Sequence, residues 1–144
     1  MISKKCKYAL RAVLHLAVES SESQKIGLRN LAQELKIPAP FLGKILQELV
    51  SKHIISSAKG PNGGFYLTEK NENAPLIRIV ESIDGLGFFE NCGLGIEECS
   101  DQHPCPIHED FKIIRDHLKK VFTSKTIRDL AGEISLHNLI LVRK

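Results

Sequence analysis

Four side chains able to bind a metal lie within 17 residues, in the pattern Cys92-x6-Cys99-x5-Cys105-x2-His108. Gly93 and Gly95, Pro104 and Pro106 suit a chain bent around a centre. Thiolates bind soft or borderline cations, and each brings a negative charge that must be neutralised. Residues 90–110 hold six carboxylates and no Lys or Arg, so without a metal these thiols are expected to have raised pKa values. A nucleophilic cysteine therefore fits poorly, and a metal centre fits better. Structural zinc sites favour paired C-x2-4-C knuckles, and neither Cys–Cys gap here is that short. Gaps of six and five from one loop sit more easily around the wider footprint of an iron–sulfur cluster. A zinc-stabilised DNA-binding or interaction module is the alternative, and three unliganded structural cysteines are the plain reading. His108, two residues beyond the last cysteine gap, is placed to ligate, and His103 is a substitute. Cys6 reads as an ordinary buried thiol, and His15, His53, His117 and His137 carry no spacing signal. There is no nucleophile–base pair, and the Gly60–Gly64 cluster lacks the Lys-Ser/Thr of a phosphate loop, so no enzyme is expected.

The segments that would carry this loop are mainly helical. Tyr8, Leu10, Val13, Leu14 and Ala17 make an apolar face over residues 3–20, with Lys4, Lys5, Lys7 and Arg11 crowding its first half. Cations at a helix N-terminus oppose the macrodipole, so a compensating group such as phosphate is expected there. Leu28, Leu31, Ala32 and Leu35 repeat at helical spacing. After a break at residues 36–40, so do Leu42, Ile45, Leu46 and Leu49. Pro38 and Pro40 forbid continuing the first of these helices but suit the first turn of the second. The period then shortens: residues 54–58 and 65–68 read as strands around a glycine-rich turn at 59–64. Three helices followed by a hairpin make a winged helix-turn-helix, mainly α with a small β-hairpin wing.

Residues 69–74 read as a polar linker, and Leu76, Ile77, Ile79, Val80 and Ile83 as a short helix ending near Gly85. Ile107, Phe111, Ile114, Leu118 and Val121 then step by 4, 3, 4 and 3, a stripe on a long C-terminal helix over residues 107–122 that resembles a coiled-coil seam. Thr126-Ile-Arg-Asp129 has capping-box spacing and opens a last helix, and the apolar tail at 136–142 is expected to dock.

With 39–51 as recognition helix, the outward positions are Pro40, Gly43, Lys44, Gln47 and Ser51. Lys44 and Gln47 are then placed to reach base edges or phosphates. Lys59, beside the wing glycines, can lay a cation along phosphate or into a minor groove. Charge agrees: residues 1–70 carry 11 basic and 5 acidic side chains, whereas residues 71–144 carry 9 and 12. The net +3 of the 144-residue chain hides a basic module (1–70) joined to an acidic, cysteine-bearing one (71–144). No apolar run approaches the roughly 20 residues that span a bilayer, and no secretory signal is evident at the start. Free thiols or ligands, rather than disulfides, and a cytoplasmic location are expected.

The opening Ser3-Lys-Lys-Cys-Lys-Tyr-Ala-Leu-Arg-Ala12, the helix pair to Leu49, and the wing Ala58-Lys-Gly-Pro-Asn-Gly-Gly-Phe-Tyr-Leu67 together resemble the bacterial IscR/NsrR/RirA-type regulators. Ile79-Val-Glu-Ser-Ile83, the cysteine loop with Cys105-Pro-Ile-His108, and Thr126-Ile-Arg-Asp-Leu130 continue the likeness to about residue 131. The resemblance implies a homodimeric transcription factor, a repressor, that binds palindromic double-stranded DNA and uses the long C-terminal helix at 107–122 as its dimerisation helix. It implies an iron–sulfur cluster on Cys92, Cys99 and Cys105 that senses iron–sulfur supply, oxidative stress or nitric oxide. His108 stands where the IscR branch completes a 2Fe–2S site. Lys7 stands where the NsrR branch has an acidic ligand to a 4Fe–4S cluster, which disfavours that mode. The DNA-contacting set implied is Ser3, Lys4, Arg29, Ala39, Pro40, Phe41, Lys44, Gln47, Lys59, Asn62 and Gly63. Two departures stand out: the first cysteine gap is six where the IscR pattern has five, and Gly43 replaces an acidic residue.

Overall fold

Ser3 starts the first helix, α1 (Lys4–Glu19), by accepting the Cys6 N–H on its hydroxyl at 3.0 Å in the computed structural model, which describes residues 1–143. Ala9, Ala12, Val13 and Leu16 form the stripe of α1 that is fully buried. It packs on α2 (Leu28–Leu35) and α3 (Ala39–Ser51), which contribute Leu31, Leu35, Leu42, Leu46 and Leu49 to the same core. Lys36, left-handed at φ 56°, ends α2 by returning its N–H to the Ala32 and Gln33 carbonyls. Pro38 then caps α3 and Pro40 occupies its first turn, where a missing N–H costs nothing.

The wing follows as an antiparallel pair, β1 (Ser56–Ala58) and β2 (Gly64–Tyr66), in the register Ser56 to Tyr66 and Ala58 to Gly64. Both strands are shorter than predicted because Ile54, Ile55 and Leu67 turn into the core instead of pairing. A bridge between Ile26 and Phe65 ties the wing to the approach of α2. There Gly64, at φ +146°, lies so close that a Cβ would sit 2.7 Å from the Ile26 carbonyl.

The predicted polar linker contains a helical turn, α4 (Glu69–Glu72), closed by a capping box between Thr68 and Asn71. Asn71 is buried and also donates to the His53 carbonyl, which fixes the base of the wing. α5 (Ile77–Asp84) stops at Gly85, and α6 (Gly87–Glu90) precedes the cysteine loop. α7 (His108–Ser124) and α8 (Ile127–His137) complete the chain, with the Thr126–Asp129 capping box formed in both directions. α8 lies along α1, and the tail docks through Leu141, whose carbonyl accepts from Arg11 at 2.8 Å. A second, smaller core joins Cys6, Ile77, Val80 and Phe89, and α7 leans on it through Leu118 and Phe122. The seam residues therefore divide: Leu118 faces this core, while Ile114 and Val121 are exposed, as is Ile113. The winged helix-turn-helix is thus present as the periodicity predicted.

Candidate metal centre and nucleic-acid interface

The cysteine loop hangs between α6 and α7. A bridge between Asn91 and Glu98 closes its first half around a turn at Gly95 (φ 75°). Gly93 lies on the Phe111 ring, where a Cβ would come within 2.7 Å. Arg115 of α7, almost wholly buried, donates to the carbonyls of Glu90 at 3.2 Å and Asn91 at 2.8 Å. The His108 N–H donates to the Cys105 carbonyl at 3.0 Å, so the start of α7 fixes the loop's other end.

Inside this frame Cys99 Sγ lies 3.3 Å from His108 Nδ1, and Cys92 and Cys105 are each partly exposed on the same loop. Among the described residues no three His, Cys, Asp or Glu side chains converge on one point. The backbone N–H groups of Leu94 and Ile96, helped by Cys105 and Gly95, hold the Cys92 thiol below its ordinary pKa. For Cys92 that differs from the raised value expected of an acidic loop, because donated amide bonds reach its sulfur. His108 is buried, and its other ring nitrogen, Nε2, lies 2.8 Å from Asp101 Oδ1. Lys112 reaches the same carboxylate at 2.9 Å and 3.1 Å, and its hydrogen bond, followed by that of His108, keeps Asp101 below the usual carboxylate range. His103 is exposed. Cys6 is sealed in the smaller core, where burial and then the Asp84 charge push its thiol up to about 12.

Of the predicted DNA-contacting residues, the structure brings four into one groove and leaves the others apart from it. Lys4, Pro40, Phe41 and Lys44 line a common groove between α1 and α3, together with Tyr8 and Pro38. Arg29 and Gln47 are exposed on α2 and α3, Lys59 and Asn62 at the wing tip, and Ala39 is partly buried. Gly63 serves the turn itself, since a Cβ there would collide with the Ala58 carbonyl oxygen. Gly43 is not fully outward: it rests against Leu28, which a Cβ would meet at 3.2 Å. Ser3 is engaged by Asp84, which accepts its N–H at 2.8 Å and its hydroxyl at 2.5 Å. Asp84 is thus the negative charge at the basic start of α1, a place where phosphate was the expectation. Lys5 is matched as well, by Glu48 at 2.6 Å.

Three side chains that hold the candidate sites were missed from sequence: Asp84, Asp101 and Arg115. Asp101 lies between two candidate ligands and could have been found as their acidic neighbour. Asp84 and Arg115 meet partners 81 and 24 residues away and left no local signal.

A helix pair with an exposed second-helix N-terminus, a hairpin wing and a basic face define a DNA-binding winged-helix protein of the transcription-regulator class. The chain belongs to the Rrf2 family of iron-dependent transcriptional regulators, whose pattern matches residues 2–133. It is 31% identical over 132 residues to a protein of Aquifex aeolicus named as an HTH-type transcriptional regulator, covering 90% of each chain. It is 24% identical to the HTH-type transcriptional regulator IscR of Pectobacterium atrosepticum, over 96% of this chain and 83% of that one. Among solved structures, CymR, the global cysteine regulator of B. subtilis, superposes with a TM-score of 0.75 at 24% identity, covering 92% of this chain and 97% of that one. IscR of T. potens superposes with a TM-score of 0.74 at 16% identity, covering 97% and 92%. Among the described residues no helix is long and apolar enough to cross a membrane.

Proposed function

We propose that this regulator binds palindromic double-stranded DNA as a homodimer, with an affinity set by an iron–sulfur cluster held by Cys92, Cys99, Cys105 and His108. The observation that carries the reading is four donors on one loop framed by α6 and α7, with Cys99 Sγ 3.3 Å from His108 Nδ1. A two-iron cluster takes two protein ligands at each iron, whereas a single zinc takes four around one point. The gaps of six and five residues between the cysteines, wider than the paired knuckles of zinc sites, favour a 2Fe–2S cluster over a zinc-stabilised module. The amide groups around Cys92 favour a thiolate, and Asp101 on Nε2 leaves Nδ1 of His108 facing the sulfur of Cys99. When bound, the cluster would supply redox and ligand-exchange chemistry responsive to oxidants, nitric oxide or iron–sulfur supply. The protein's part is to hold the loop between α6 and α7 and to read DNA with residues 1–70. In the dimer, exposed Ile113, Ile114 and Val121 of α7 supply the apolar contact, and Lys4, Arg29, Lys44, Gln47, Lys59 and Asn62 of each protomer meet one half-site.

Anaerobically purified protein is expected to be coloured and to contain iron and acid-labile sulfide. Cys92→Ala, Cys99→Ala and Cys105→Ala should each abolish the visible absorption. Colourless protein holding one zinc per chain and no sulfide overturns the cluster. DNA affinity measured with and without the cluster is expected to differ, and to fall steeply with salt in both forms.

A further inference from the structure

The groove at the start of α3 encloses about 510 Å3 between Lys4, Tyr8, Pro38, Pro40, Phe41 and Lys44. Its floor is apolar and its rim is cationic. Phe41 leaves 45% of its surface exposed in the first turn of α3, the turn that a recognition helix presents to base edges. The ring is held: it stands edge-on to Tyr8, with centroids 5.7 Å apart and planes at 88°. Tyr8 is itself fixed beneath two cations, Lys4 Nζ at 5.6 Å and Arg11 at 5.9 Å from its centroid. Lys44 lies three residues beyond Phe41, on the same helix face, and is exposed. Gly43, turned toward Leu28, adds no side chain to that face.

A fixed apolar ring between lysines is a poor seat for an apolar protein surface, which would strand the ammonium groups without partners. Its complement is a polyanion that carries an apolar projection. The DNA major groove is such a surface, with phosphates along its edges and the C5-methyl of thymine on its floor. We propose that Phe41 selects thymine in each half-site by packing on that methyl group, while Lys44 reads O6 and N7 of a guanine next to it. The inference rests on the DNA-binding character of the family and adds which bases this helix distinguishes.

The test uses the full chain, purified anaerobically, and duplexes that it enriches from a randomised library. Each thymine of the half-site is exchanged singly for deoxyuridine, which removes one methyl group and no hydrogen bond. One position is expected to lose about three- to fivefold in affinity by fluorescence anisotropy, the worth of one buried methyl. Phe41→Ala should bind the thymine and deoxyuridine duplexes equally. Phe41→Gln carries the same expectation and covers the case in which Phe41→Ala fails to fold, as judged by its circular-dichroism melt. Lys44→Ala should keep the methyl sensitivity and lose the preference for the adjacent guanine. Native protein indifferent to every deoxyuridine exchange overturns the proposal, and so does a methyl penalty that persists in the Phe41 variants. A library from which nothing is enriched overturns base reading by α3 altogether, a failure of the DNA-binding assignment that the Phe41 variants would not produce.

Discussion

Arg115 is the side chain on which the cysteine loop depends, and Arg115→Met measures how much. The guanidinium is 6% exposed and donates to the last carbonyl of α6, Glu90, and to Asn91, the residue before Cys92. It caps the negative end of a short helix. Its Nε is buried without a hydrogen-bond partner among the described residues, the Asp116 carboxylate standing 3.9 Å away. Methionine keeps the length of the side chain and removes both the donors and the charge. Two opposed effects follow. The charge-assisted bonds, worth about 1.5–3 kcal/mol each, are lost. The orphaned Nε, costing about 1–3 kcal/mol, and the burial of the guanidinium are lost with them. Globally these nearly cancel, so the thermal midpoint should move by no more than about 4 °C. Locally they do not cancel, because methionine cannot hold the Glu90 and Asn91 carbonyls. Loss of the shorter bond alone, about 1.5–3 kcal/mol, raises the opening equilibrium of the loop roughly 10- to 150-fold.

Hydrogen–deuterium exchange read by mass spectrometry separates the two scales. The protected N–H groups of Phe89, Asn91 and Gly95 report on the loop, and those of α1 report on the whole fold. In Arg115→Met the first set should exchange faster by that factor while α1 keeps its native rate. Native exchange in the loop would show that Arg115 does not hold it. Equal acceleration in α1 would show a global role instead, and either result refutes the local account.

Asp101→Ala removes the acceptor from His108 Nε2, and should speed loss of iron to a chelator from anaerobic protein by roughly 10- to 100-fold; an unchanged rate refutes the orienting role. The Asp101 pKa lies below its ordinary 3.8, so its pairing with Lys112 is intact above that pH and is lost as pH falls through the folded value. The two proteins should therefore differ at neutral pH and converge in acid. For Cys6 the sign is opposite: its thiol rises from 9.0 to about 12, so its contribution is complete below pH 9.0 and is lost as pH climbs toward 12. Cluster-free native protein treated with a maleimide at neutral pH should label Cys92, Cys99 and Cys105 quickly and Cys6 only after denaturation. Gly64→Ala places a Cβ at φ +146° against the Ile26 carbonyl, and should lower the urea midpoint by the equivalent of about 1–3 kcal/mol. Gly60→Ala, also at positive φ but with open space around it, should cost less.

The helices of the DNA-binding half were legible because their cores are periodic: Leu42, Ile45, Leu46 and Leu49 can all be buried only on a helix. The wing was legible through Gly60, whose φ is positive, and through Gly63 and Gly64, where a Cβ would strike backbone. Four-residue helices such as α4 and α6 have no period to read, and the box that caps α4 uses Asn71 in place of the usual Glu or Gln. The candidate ligands were legible by type. Their arrangement was not, because spacing along the chain cannot say that His108 faces Cys99 across nine residues. Gly43 read as outward because helical phase alone placed it there, and the close approach of Leu28 is a property of the helix pair.

A bound group can change DNA affinity only by the difference in its contacts between two arrangements of the protein. The cysteine loop touches the DNA-reading half in a restricted way. Cys92, Gly93 and Phe111 line a groove of about 540 Å3 whose opposite wall includes Met1, Ser3 and Asp84. Asp84 holds Ser3 by both its N–H and its hydroxyl, and Ser3 caps the helix that presents Lys4 and Tyr8 to the recognition groove. The same carboxylate stands close enough to Cys6 to raise its thiol. The other route runs through α7, which carries Arg115 against the loop on one side and exposes Ile113 and Ile114 on the other. The first route would change the pose of α1 within one protomer; in the proposed dimer the second would change the distance between two recognition helices. If DNA affinity follows the proposed cluster, an Asp84→Ala variant that binds DNA normally and still responds to it assigns the response to α7, and one that binds but no longer responds assigns it to the Ser3 corner.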